Sequence, residues 1–419
     1  MQSPVAEYLE TIVNRCKSDR TGEISPASAK NTGIDADQLA LAITTVDGAT
    51  YAVGDADVHF PIESMAKPLT YALAIHDAGP TEVHKKIGVE PSGDNFNEIA
   101  LEESTGRPFN AMINAGAIAA HTYVDGDGEN DRTERIRQHF SKLADKALQF
   151  ADTEDDTTHR NLAIGHMLKA ADVLEIDPQE AVRGYTRQCA VSVSTRDLAI
   201  IASVYANRGV HPLTGERLLE PDIVRHVLSV MATCGMYNAT GDWITSVGIP
   251  AKSGISGGIF GVLPGQLGIA VYSPLVDSRG NSVRGVELFE HLSRDVGLHL
   301  MEASPIGRSV LRSAEERHGA MHFQMQGTLL FTQAELIARE IERRECADLP
   351  VILDFEATIA VSVVAKKILA EMVDRLRRHD HVQTVVVDPG GFFSDAWGSE
   401  SRTPTVVGSV EAARSALGT

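Results

Sequence analysis

The placement of β-forming segments constrains this chain most. Residues 38–55 read QLALAITTVDGATYAVGD, two β-rich runs flanking Asp47-Gly48. That dipeptide accepts positive φ and predicts a tight hairpin. A second β-rich region, SVGIPAKSGISGGIFG followed by QLGIAVYSP, comes only after residue 245. Between the two, a helical pattern runs from about Ser64 to Ala78 and stops at Gly79-Pro80. Residues 81–235 are mostly helical in pattern, broken by polar loops, and a further helical segment, GVELFEHLSRDVGLHL, closes this part. Strands first and last with helices between predict one antiparallel sheet made from both ends, with a helical subdomain inserted. The class is α/β, more strictly α+β.

Beyond that region the pattern changes. Residues 303–320, ASPIGRSVLRSAEERHGA, read as a linker of small and polar residues with weak periodicity. HFQMQGTLLF reads as a strand pair bent at Gly327, and Thr332-Gln333-Ala334-Glu335 as a capping box opening a helix. PVILDF is a buried strand, 358–378 a helix and TVVVDP another strand. Alternating strand and helix predicts a small, separate α/β domain. The expected division is therefore 1–305 for the first domain, 306–320 for the linker and 321–419 for the second domain.

Composition narrows the function. The 419 residues are 43% hydrophobic, enough for large cores, and carry a net charge of -19. Such a chain repels phosphate backbones and anionic membrane surfaces, so neither nucleic acid nor membrane is an expected partner. The N-terminal segment MQSPVAEYLETIVNRCK has acidic residues and no unbroken apolar core, so it is not a signal peptide. Val5, Leu9, Ile12, Val13 and Cys16 instead share one face of a helix. No apolar run has bilayer-spanning length, and a cytoplasmic location is expected. Cys16, Cys189, Cys234 and Cys346 form no C-x-x-C pair, and the histidines show no H-E-x-x-H spacing. Neither a metal nor an organic cofactor is therefore expected. DGDGENDRT (125–133) loosely resembles a calcium loop, but Asn130 stands where that loop requires glycine, and a solvated loop is expected.

Two short elements carry chemistry. Ser64-Met65-Ala66-Lys67 spaces a hydroxyl and an amine three residues apart, on one face of a helix. Pro68 is tolerated only near a helix start, which places Ser64 at the N-terminal end, where negative charge is favoured. A neutral, desolvated lysine can take the proton of such a serine. An N-capping serine and a surface lysine would give the same four letters. The second element is Lys252-Ser253-Gly254, and S-x-x-K followed by K-[ST]-G resembles the penicillin-recognising serine enzymes. Gly254, Gly257 and Gly258 would let a substrate approach the strand backbone. Gly254-Ile255-Ser256-Gly257-Gly258 also matches the G-x-S-x-G elbow. That motif needs a helix after it, whereas strand-and-turn sequence follows here.

The strings PIESMAKPLTYALAIHDAG, EPSGDNFN, RPFNAMINAGAI and PAKSGISGGI, in this order and spacing over roughly residues 20–300, resemble the bacterial and animal glutaminase family. The resemblance implies a β-lactamase/transpeptidase-like fold, an acyl-enzyme mechanism and L-glutamine as substrate. It implies Ser64 as nucleophile, Lys67 as its base and Tyr237 as a proton relay. The backbone amides of Ser64 and Ile255 would form the oxyanion hole, with Ile255 standing where the family has valine. Asn114, Glu154, Asn161 and Tyr185 match the residues that hold the substrate, with Glu154 suited to its α-ammonium and the asparagines to its carboxylate and amide. Taken singly, Glu154 belongs to a solvated acidic run, and Asn161 and Tyr185 could be structural. The family also often carries a tyrosine at the place of Ala27. A homodimer or homotetramer is implied. The part beyond about residue 320 resembles a STAS domain, which implies a binding or regulatory module with a protein partner. Ser362 is the nearest match to the serine phosphorylated in some STAS domains. Two rival readings stay open: another S-x-x-K hydrolase acting on β-lactams or peptides, and an impaired scaffold acting through the STAS-like part.

Overall fold

The computed structural model describes residues 4–26, 28, 34–92, 98–151, 158–301, 310–344, 349–378, 382–394 and 404–418. The chain forms two compact units, Met1–Glu302 and Ala303–Thr419.

The first unit is built on five antiparallel strands: β1 (Ala40–Thr45), β2 (Thr50–Gly54), β3 (Ala251–Ser253), β4 (Gly258–Leu263) and β5 (Leu267–Tyr272). Their order is β2-β1-β5-β4-β3, so the N-terminal hairpin lies beside the C-terminal strands as the element order predicts. Gly48 turns the hairpin at φ 93°. Strand alternation sorts the side chains between two cores. Ala40, Ala42, Phe260, Val262, Ala270 and Tyr272 face one. Leu41, Ile43, Ile259, Ile269 and Val271 face the other. The second core is closed by α1 (Pro4–Cys16), which contributes Leu9, Ile12, Val13 and Cys16, and by a C-terminal helix, Val283–Val296. Val5, expected on the buried face of α1, is 40% exposed at the helix start.

The first core holds the helical subdomain, inserted between β2 and β3. It includes α2 (Ala66–Ala78), α3 (Asn114–Thr122), α4 (His159–Ala170), α5 (Pro178–Cys189) and α6 (Thr195–Ala206). Ten consecutive residues of α2, Ala66 through Ile75, are buried, so this is a central helix covered all round. It ends at Gly79, and Pro80 at once opens another short helix, its missing N–H costing nothing there. α6 starts with a reciprocal Ser194/Asp197 capping box and lies so close to β5 that a Cβ on Gly268 would sit 2.3 Å from the Ser203 nitrogen. The helix Val283–Val296, hereafter α7, ends at Gly297 in the left-handed conformation. The acidic stretch at 125–133 is a loop only as far as Gly128; a helix begins at Glu129, whose acidic first turn suits its dipole.

The second unit is a five-stranded sheet in chain order: β6 (Leu311–Arg317), β7 (Ala320–Leu329), β8 (Val351–Val361), β9 (Thr384–Val387) and β10 (Thr405–Val407). β6 pairs antiparallel with β7, and the other pairs are parallel. One face packs Phe323, Met325, Leu353, Phe355 and Val386 against α8 (Phe331–Arg343) and α9 (Val363–Arg378). On the other face Ile352, Val385 and Val387 meet Ala413 of α10 (Val410–Leu417).

Several expectations for this unit change. Residues 311–317, read as linker, are strand β6, which buries only Ala314. An edge strand with charged residues has no apolar alternation to read. His322–Leu329 lie on one strand, β7, whose pairing with β8 slips on both sides of Gln326-Gly327, with Gly327 at φ 75°, and Phe331 already belongs to α8. The helix at 331 starts one residue before the expected cap, and the Leu330 amide donates to Gln333 Oε1 at 3.2 Å. β8 runs on to Val361, so the helix expected from 358 begins at Val363, where Ser362 Oγ accepts from the Ala365 amide at 3.3 Å. That is the cap contact of an ordinary helix start.

Because the two units share no strand and their cores are separate clusters, a chain ending at Met301 is expected to fold by itself. A single cooperative thermal transition of the truncated chain checks this; aggregation or a melt without cooperativity contradicts it. Among the described residues no helix is long and apolar enough to cross a membrane.

Candidate active site

The short strand His59–Pro61 leads into a 3₁₀ turn, Glu63–Met65, that feeds α2. The Ile62 amide anchors the turn on the Val191 carbonyl at 2.8 Å. Glu63 has φ 52°, a conformation that costs a non-glycine residue on the order of 1 kcal/mol or more. The strain sits directly before Ser64. One turn on, Lys67 is fully buried, and its Nζ donates to Ser64 Oγ at 3.1 Å and to Asn114 Oδ1 at 2.7 Å.

The strand β3 supplies the facing wall. The Tyr237 hydroxyl donates to the Ser253 carbonyl at 3.0 Å, and the Ser64 side chain lies beside its phenol. Lys252 Nζ donates to the same carbonyl at 2.8 Å and lies 4.1 Å from the centre of the Tyr237 ring, a cation–π distance. Tyr237 opens a 3₁₀ turn at φ 51°. Two strained non-glycine residues therefore flank one hydroxyl, a pattern found where geometry is held for function.

The helical subdomain completes the cluster. Asn114, the first residue of α3, accepts from Lys67 and from the Tyr185 hydroxyl of α5 at 3.1 Å. Its Nδ2 donates to Asn161 Oδ1 at 3.0 Å. Two donors aimed at one amide oxygen fix which way Asn114 faces. Asn161 stands in the first turn of α4, its amide held by the Thr158 cap at 3.2 Å.

Burial sets the charges. Desolvation holds the Lys67 ammonium down to about 8, where its neutral form is well populated near physiological pH. Burial first, then the neighbouring charge of Lys67, holds Lys252 well below the ordinary lysine range. Burial pushes the phenols of Tyr237 and Tyr185 well up, so both are protonated donors. A neutral amine in line with a serine hydroxyl, beside a protonated phenol, can accept a proton from the serine and pass one to a leaving group.

Of the residues named from sequence, Ser64, Lys67, Asn114, Asn161, Tyr185 and Tyr237 form one connected network. Ile255 stands two residues past β3, in the turn toward β4. Among the described residues, neither the Ser64 nor the Ile255 amide donates to a backbone carbonyl. Glu154 and Ala27 lie outside the described residues. Ser28, next to Ala27 in the chain, is buried, accepts from Ser25 Oγ at 2.8 Å and donates to the Ile255 carbonyl at 3.4 Å. Ser256, in the discarded elbow motif, is buried in the turn before β4, and no helix follows it. A cavity of about 270 Å³ opens beside Tyr237, lined also by Asn110, Met112, Ile113, Asn238 and Thr240; it touches neither Ser64 nor Lys67.

Sequence reading missed Asn281, whose Oδ1 accepts from Ser253 Oγ at 2.6 Å and steadies the K-S-G strand. It also missed Cys189, which is buried beside Tyr185. Neither belongs to a short motif; only the fold brings them to the site.

Comparison with known proteins identifies the family. The glutaminase family model matches residues 28–301, and a STAS domain model matches 312–395. A glutaminase of Corynebacterium efficiens is 42% identical over 398 residues, covering 94% of each chain. A glutaminase of Nostoc sp. is 42% identical over 73% of this chain and 92% of its own. The crystal structure of Mglu superposes with a TM-score of 0.84 at 38% identity, covering 93% of this chain and 99% of that one. A probable glutaminase of Bacillus subtilis superposes with a TM-score of 0.64 at 32% identity, over 70% of this chain and 97% of its own. The chain belongs to the glutaminase family, with a STAS domain after the glutaminase region.

Proposed function

We propose that this protein hydrolyses L-glutamine to L-glutamate and ammonia through a γ-glutamyl ester on Ser64. The observation that carries the mechanism is the buried Lys67 amine, 3.1 Å from Ser64 Oγ and depressed to about 8. Neutral Lys67 takes the hydroxyl proton as Ser64 Oγ attacks the side-chain amide carbon. The amides of Ser64 and Ile255 receive the oxyanion. The C–N bond breaks, and the departing nitrogen takes a proton from Lys67, directly or through the Tyr237 hydroxyl, and leaves as ammonia. Water, deprotonated by the same amine, then cleaves the ester. Asn114 and Tyr185 hold Lys67 in line, and with Asn161 they border the substrate. Glu154 is assigned the α-ammonium from the family register. The free thiols of Cys16, Cys189 and Cys234 suit a reducing cytoplasm. Self-association as a dimer or tetramer and a protein partner for the STAS domain rest on the resemblance alone.

Glutamine is expected to be preferred over asparagine by about a hundredfold or more in kcat/KM, because the shorter amide cannot reach Ser64 while its ammonium is held. Ammonia release from both amides, beside turnover of a chromogenic β-lactam, checks this. Comparable kcat/KM for the two amides, or β-lactam turnover in place of glutamine turnover, overturns the reading.

A further inference from the structure

On the face of the sheet opposite α2, the helices α1 and α7 pack together. Cys16, the last residue of α1, is fully buried there. Glu287 and His291 stand four residues apart on α7, which puts them on one side of that helix. The Cys16 sulfur, a Glu287 oxygen and a His291 nitrogen all lie within 4.8 Å of one another. His291 Nε2 is 3.8 Å from Glu287 Oε1. Glu287 Oε2 is shielded from solvent and accepts no N–H or O–H hydrogen bond among the described residues; the group beside that carboxylate is the Cys16 thiol. A shielded carboxylate oxygen without a donor is costly unless a cation faces it. The neighbouring cation, Arg15, is paired with Asp295 at 3.3 Å.

We propose that Cys16, Glu287 and His291 form a structural Zn²⁺ site that clips the N-terminal helix α1 onto α7, with solvent as the fourth ligand. The donor set decides the ion. One sulfur, one nitrogen and one oxygen suit borderline-soft zinc, whereas calcium and magnesium take oxygen ligands. Zinc bonds of about 2.0–2.3 Å put tetrahedral ligands roughly 3.5 Å apart, so small rotations of the three side chains close the site. The ion displaces the Cys16 thiol proton: a sulfur–zinc bond forms, the S–H bond breaks, and the proton leaves to solvent. The Glu287 and His291 side chains are 36% and 22% exposed, which leaves an entry path. The ligands stand 271 and 275 positions apart from Cys16 in sequence, so no short motif announces them.

The test uses the full chain, stripped by a chelator and titrated with Co²⁺ as a spectroscopic stand-in. One equivalent is expected to give a thiolate-to-cobalt charge-transfer band that Zn²⁺ abolishes. Cys16→Ser removes the band, Cys234→Ser keeps it, and Zn²⁺ raises the Tm of the parent chain only. His291→Ala and Glu287→Gln, at partly exposed positions that leave the fold intact, weaken Co²⁺ binding tenfold or more. No band in the parent chain, a band that survives Cys16→Ser, or unchanged affinity in both α7 variants overturns the proposal.

Discussion

Ser64→Ala is expected to lower ammonia release from glutamine by about 10⁴-fold or more while glutamate still binds. The loss is large because the hydroxyl is the group that forms the ester, and no other described hydroxyl is placed to replace it. Tyr237 is the nearest, but it donates to the Ser253 carbonyl and burial keeps it protonated. Binding survives because Asn114, Asn161 and Tyr185 hold one another without Ser64. Steady-state ammonia release and calorimetry with glutamate read the two halves. Substantial residual turnover would remove Ser64 from the mechanism.

Lys67→Arg is expected to be nearly as severe, by about 10³-fold or more, because a guanidinium cannot lose its proton at working pH. In the parent enzyme kcat/KM should rise with pH through about 8, as the neutral amine that serves as base accumulates. That rise should vanish in Lys67→Arg. The Ser64→Ala/Lys67→Arg double variant should be no worse than Ser64→Ala alone, since the two side chains act as one unit. A double variant that loses the product of both single effects would show that they work separately.

The same lysine gives a stability test whose sign is fixed. Its folded pKa lies below its unfolded value, so between about 8 and 10.5 the unfolded chain binds the extra proton. Unfolding free energy therefore rises with pH across that window by up to about 3 kcal/mol, the full displacement at 1.36 kcal/mol per pH unit. Thermal melts of the parent chain and Lys67→Met between pH 7 and 10 read it. The difference should move steadily in favour of the parent as pH rises, and a constant difference would mean that Lys67 is not depressed.

What could be read from the chain and what could not divides along range. The hairpin at Asp47-Gly48, the buried run of α2 and the Ser64/Lys67 spacing are local, and each repeats a period or a steric rule within a few residues. The long-range parts of the site came through family register: Asn114, Asn161 and Tyr185 sit on three helices, and nothing within any one helix points at Lys67. Asn281, Cys189 and Ser28 had no such register and were missed. In the STAS domain the errors have a different cause. β6 is a charged edge strand with a single buried side chain, and Gln326-Gly327 on β7 interrupts its pairing. Both break the alternation by which strands are recognised.

Glutamine is proposed to be cleaved through a covalent ester on Ser64, with neutral buried Lys67 taking the hydroxyl proton. Acid-quench mass spectrometry of the enzyme under saturating glutamine tests it most directly. A mass increase of one glutamyl residue is expected, mapped by peptide fragmentation to Ser64, and lost in Ser64→Ala and Lys67→Arg. Ammonia release with an adduct on another residue, or turnover that persists in Ser64→Ala with no adduct at all, would contradict it.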